Sequence, residues 1–222
     1  MIRALIYKEW LKTRWVLLGA LILQCGTVGY CMLKVFRAIS MRGIDHIWEV
    51  MIGRDAIFVD MLTWIPAIVG LVLAIAQFVP EMKRKCLKLT LYLPAARLSM
   101  VMTMIGYGIV SLLILMAIDY LVVWLSLSPV MARELVSRIL MAMLPWHLAG
   151  ICTYVLASWV ILEPTWRMRV CWGIVAAIVI SVFFLGNHPT SYDRFWPVLV
   201  AYTVCALSLP WLSVCRFVNG KQ

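Results

Sequence analysis

Residues 80–97 read PEMKRKCLKLTLYLPAAR, from Pro80 to Arg97. Lys83, Arg84, Lys85, Lys88 and Arg97 stand there against a single carboxylate, Glu81. The flanks, Met61 to Val79 and Leu98 to Ile118, are apolar and almost free of charge. Pro80 suits the first turn of a helix, and Glu81 in that turn complements the positive end of the helix dipole. Pro94 ends the segment, because it cannot continue a helix and it forces the residue before it to be extended. The stretch is therefore expected to be a short helix at a membrane surface, between two spanning segments. Local composition alone equally allows a solvated basic loop that only fixes topology.

The composition decides the class. Of 222 residues, 64% are hydrophobic and 14% charged, and the mean hydropathy is +0.97. That leaves too little polar side chain to cover a water-facing surface. Apolar runs near the ~20 residues needed to cross a hydrocarbon core recur along the chain. The expected fold is all-α and integral to the membrane, one transmembrane domain over 1–222. Its spans are expected at about 15–33, 59–79, 99–124, 138–162, 170–186 and 195–214, with the basic segment at 80–97.

The N-terminus reads MIRALIYKEWLKTR, in which Ile2, Leu5, Ile6 and Trp10 recur at helical spacing. Arg3, Lys8, Lys12 and Arg14 lie between them. This predicts an interfacial helix over 2–13, apolar side down and cations at the headgroups. The apolar core after it is too long for a cleaved signal, so the segment is expected to be retained. Residues 35–58 mix charge with Ile, Trp and Phe and are expected to be a loop, with a short amphipathic helix near 44–52.

Six spans put both ends on one side. The N-terminus, 80–97, the 163–169 turn and the tail carry thirteen cations against three acids, a net +10. The opposite side carries seven of each and is neutral. The basic side, with both termini, is therefore expected to be cytoplasmic. Anionic lipid headgroups account for its charge, and no nucleic-acid partner is needed.

A search for chemistry returns no catalytic candidate. The three histidines, His46, His147 and His188, have no partner at HExxH spacing, and no GxSxG or phosphate-binding GxxxxGK[ST] occurs. Seven cysteines without a CxxC pair, and fourteen scattered methionines, suggest packing and no metal site. His147, beside Pro145 and Trp146, is expected to anchor at an interface. Gln24, Gln77 and Asp119 are the polar residues inside spans. Interhelical hydrogen bonds are expected of the two glutamines ahead of a role in a pathway. Asp119, about 30 Å along its helix from Ser99, is expected to snorkel to the outer headgroups.

The layout resembles the membrane subunit of an ABC-2 type ATP-binding cassette transporter. The resemblance rests on Lys8-Glu9-Trp10 in an N-terminal helix, on six spans, and on Glu81 followed by basic residues and Leu93-Pro94-Ala95-Ala96-Arg97 before span three. It implies a cytoplasmic coupling helix between spans two and three, docked on a separate ATPase. Glu81, Lys83, Arg84 and Lys85 would dock, with Pro94 and Arg97 at the exit. It further implies two cytoplasmic ATPase subunits holding ATP and Mg, no cofactor in this chain, and pairing with a second copy or a related permease. The cell or inner membrane of a bacterium, and export over import, are implied on the same ground. Only Asn187 to Arg194 separates the last two spans, less than the re-entrant hairpin common in that family. A membrane scaffold holding a cytoplasmic partner, and an embedded enzyme, are the other readings.

Overall fold

The computed structural model describes residues 2–53, 59–83, 97–186, 192 and 195–218; at 42, 44–53, 97, 217 and 218 the backbone alone is described. All its regular structure there is helical. In order come α1 (Ile2–Gly53), a 3-10 turn (Asp60–Leu62), α2 (Ile65–Lys83), α3 (Arg97–Leu127) and α4 (Arg133–Leu162). Then follow α5 (Trp166–Ser181), continued by a 3-10 turn (Val182–Phe184), α6 (Trp196–Ala206) and α7 (Leu209–Val218). Six segments are long and apolar enough to cross a membrane: Ile2–Met41, Asp60–Lys83, Leu98–Leu127, Arg133–Leu162, Trp166–Phe184 and Trp196–Arg216. The chain is a multi-pass membrane protein by that architecture. The last segment comprises α6 and α7, interrupted at Leu207 and Ser208 because Pro210 has no N–H to return to Ala206.

The first helix departs from expectation. No break separates 2–13 from the span after it, and the helix continues through residues read as a loop. Its one interruption is Gly43, at φ 78° and ψ 167°, a backbone region that side-chain-bearing residues avoid. Ile2, Ile6 and Trp10 do point outward, with Leu5 half-buried. The opposite stripe is polar and faces the bundle: Glu9 and Thr13 are fully buried.

At the centre stands α4, whose apolar window is 72% buried, whereas that of α5 is only 11% buried. In lipid, apolar side chains gain nothing by leaving the solvent, so helices associate through close packing of small residues. The α2–α4 crossing shows this. A Cβ on Gly70 would collide with the carbonyl oxygen of Gly150, and one on Gly150 would come within 2.6 Å of the Pro66 carbonyl. A Cβ on Gly108 of α3 would overlap the phenol of Tyr154, which is wholly buried in the crossing.

Side-chain contacts fix the directions. Pro66 meets Gly150 and Gln77 meets Tyr154, so α2 and α4 run parallel. Lys8 reaches Glu81 near the end of α2, and Arg216 reaches Glu163 just past α4. The start of α1 and the ends of α2, α4 and α7 thus gather at one end of the bundle, the basic end.

Candidate functional site

Two buried charge clusters lie at different depths. The first closes the basic end. Lys8 Nζ and Lys12 Nζ each lie 2.8 Å from Glu81 Oε1, and Lys12 Nζ also lies 3.3 Å from the Gln77 carbonyl. Lys12 Nζ is 2.8 Å from Glu9 Oε1 too, but off the line a hydrogen bond needs. Both Glu9 oxygens and Glu81 Oε2 therefore lack a hydrogen-bond donor. One turn deeper, Thr13 Oγ1 meets the Tyr107 hydroxyl at 2.8 Å, tying α1 to α3. Gln77 then joins three helices: its Nε2 donates to the Met104 carbonyl at 2.8 Å, and its Oε1 accepts from the Tyr154 hydroxyl at 2.7 Å. The interhelical role expected of Gln77 is what the structure displays.

This geometry corrects the placement of Glu81. Pro80 and Glu81 do not open a surface helix; they lie in the last turns of α2, where Glu81 is 2% exposed and faces α1. Lys8 and Lys12 reverse their expected direction as well, turning from the headgroups to the Glu81 carboxylate. A buried carboxylate draws them in because it is far costlier unpaired. Lys83 ends α2 and is exposed, and Arg97 opens α3. Arg84, Lys85 and Pro94 fall outside the described residues.

The second cluster lies midway along α4. His147 Nε2 is 3.2 Å from Asp119 Oδ2, and His147 Nδ1 is 3.0 Å from the Met143 carbonyl. The two residues are 3% and 1% exposed. Tyr120 tilts its ring against the imidazole at 5.4 Å and donates its hydroxyl to the Leu140 carbonyl at 3.0 Å. Asp119 therefore does not snorkel, and His147 is no interface anchor: each is removed from lipid by the other. The residue-by-residue reading treated them singly, and their 28-residue separation has no local pattern to expose it. The signal available was that each is costly alone at membrane depth, so a partner was required.

Gln24 joins this level. It lies about three turns beyond Thr13 in α1, as Asp119 lies about three turns beyond Tyr107 in α3, and Thr13 and Tyr107 are in contact. Gln24 is 3% exposed and its Oε1 has no hydrogen-bond donor; nor has Asp119 Oδ1.

A third contact set secures the end of α4. Glu163, fully buried, accepts from Ser213 at 2.7 Å and Thr165 at 3.3 Å, with Arg216 at 3.7 Å. Arg169 donates to the carbonyls of Glu163 and Ile161 at 2.7 and 3.3 Å, satisfying the exposed end of the helix ladder. Arg169 and Arg216 lie against the rings of Trp166 and Trp172. Among the described residues no group of three or more potential metal ligands occurs. No family model, curated protein or solved structure matches the chain.

Proposed function

We propose that this chain is the permease subunit of an ABC-2 type transporter, with the basic end in the cytoplasm and the 84–96 segment contacting a separate ATPase. The supporting observation is the Glu81 clamp. A segment that receives a push is useful only if the helix it leaves is stiffly held. Glu81, with Lys8 and Lys12, joins the end of α2 to α1 at the point where the basic segment departs. The coupling residues of the resemblance are thereby divided. Arg84 and Lys85 remain docking residues with Pro94 and Arg97 at the exit, Lys83 is their exposed neighbour, and Glu81 transmits. Two ATPase subunits with ATP and Mg, pairing with a second copy or related permease, a bacterial inner membrane and export complete the reading.

The test is purification in detergent with the ATPase encoded alongside, followed by reconstitution. Stimulated ATP hydrolysis that falls on Arg84→Glu or Lys85→Glu, with the complex still assembled, is the expected outcome. A chain that purifies without an ATPase, or stimulation untouched by both reversals, replaces this reading with a membrane scaffold. The tightness of the α2–α4 crossing is the observation that favours that second reading, since it leaves little room between those two helices.

A further inference from the structure

We propose that Asp119 and His147 form an intramembrane proton-binding site, holding one shared proton between α3 and α4. His147 Nδ1 faces the Met143 carbonyl and Nε2 faces the Asp119 carboxyl group. A carbonyl oxygen only accepts, so Nδ1 must carry hydrogen to bond it. Nε2 then has two ways to be satisfied. It carries a second hydrogen and donates to an ionised Asp119, or it accepts from a protonated Asp119. Both arrangements hold the same number of protons and no net charge. Removing that proton leaves one ring nitrogen bare, with its lone pair against an acceptor oxygen whichever tautomer forms. It also leaves a net negative charge on the Asp119 carboxylate, buried between α3 and α4. Such a charge is costly in a medium that cannot solvate it. Only in the loaded pair are both of these contacts hydrogen bonds at once.

The surroundings suit a proton. Tyr120 spends its hydroxyl hydrogen on Leu140. Among the described residues, the buried side-chain oxygens without donors at this level are Asp119 Oδ1 and Gln24 Oε1. Hard metal cations take about six oxygens, whereas a proton needs the two atoms already facing each other. Asp119 Oδ1 is where water would enter if the pair discharged, since an ionised carboxylate there has a lone acceptor to satisfy. Loss of the proton therefore favours parting of α1, α3 and α4 at this level. This stands independently of the transporter reading, because it concerns the protonation of two side chains in the chain alone.

The experiment uses the full chain in lipid nanodiscs, with nitrogen-15 histidine, at about pH 8, where an imidazole in water is neutral. His147→Gln identifies the ring signals. The expected result is one of two signatures. Either both nitrogens of His147 carry hydrogen, or the infrared spectrum holds a protonated-carboxyl band that Asp119→Asn removes. A His147 ring with one bare nitrogen and no such band overturns the proposal. So does a spectrum that changes when sodium is replaced by choline, which would put a metal cation in the site. Where His147→Gln fails to fold, His46→Gln and His188→Gln, which leave the pair intact, identify the His147 signals by elimination and decide the matter.

Discussion

The clamp at the basic end and the pair in mid-bundle treat buried charge in opposite ways. Around Glu81 two carboxylates and two ammonium groups share contacts unevenly: Glu81 Oε1 takes both lysines, while three other carboxylate oxygens have no hydrogen-bond donor. Lys8 is 38% exposed and Lys12 20%, so the cluster borders on solvent and can exchange partners. Asp119 and His147 have one partner each way and are closed to solvent. Neither cluster is fully matched, since Asp119 Oδ1 has no hydrogen-bond donor either; what separates them is that the lysines of the first reach solvent and the pair of the second does not.

The largest effect is expected in the pair closed to solvent. His147→Leu leaves Asp119 buried without a counterpart and should cost about 3–5 kcal/mol, read as a lower unfolding midpoint in detergent. The double change His147→Leu with Asp119→Leu should recover most of that loss, since apolar replacement of a whole buried pair is often close to neutral. Failure to recover would mean the pair does more than satisfy itself.

Next comes the crossing between the two clusters. Gly70→Ala places a methyl group against the Gly150 carbonyl, backbone that cannot step aside. A loss of about 1–3 kcal/mol is expected, with weakened protection of the Tyr154 side chain in the same variant. Glu81→Gln should cost less, about 1–2 kcal/mol, because Lys8 can turn to water and Lys12 keeps Glu9. Its sharper signature is local: faster amide exchange in the last turn of α2 with the middle of α4 unchanged. An equal slowing or quickening at both levels would erase the contrast between the clusters. The smallest effect is Arg216→Ala. Its guanidinium is 41% exposed and 3.7 Å from Glu163, so a change under about 1 kcal/mol is expected.

Much of the architecture was legible because apolar run length is a local property. The last five expected spans end within about five residues of the apolar segments, whereas the first segment extends further in both directions. Gly43 marks the interruption there, and a lone glycine in sequence does not announce whether the helix will continue past it. The expected stripe of Ile2, Ile6 and Trp10 does face outward, with Arg3 and Arg14 exposed, while Lys8 and Lys12 turn to Glu81. What local reading could not supply was pairing. Lys12 with Glu81 and Asp119 with His147 depend on which helices neighbour each other, and nothing in either flank encodes that. Gln77 was placed correctly for a general reason: an amide within lipid must bond across helices. Glu163 was read as part of a basic turn, whereas α5 begins at Trp166 and the carboxylate is drawn inward by Ser213.

The unbroken length of α1 has a mechanical meaning. From Ile2 to Met41 it runs 40 residues, about 60 Å at the α-helical rise, twice the ~30 Å thickness of a hydrocarbon core. Such a rod has no elbow before Gly43. A tilt imposed by Lys8 and Lys12 at one end is carried along one continuous helix toward the other. The first helix is in that sense a lever whose handle is held by Glu81 and whose joint is Gly43.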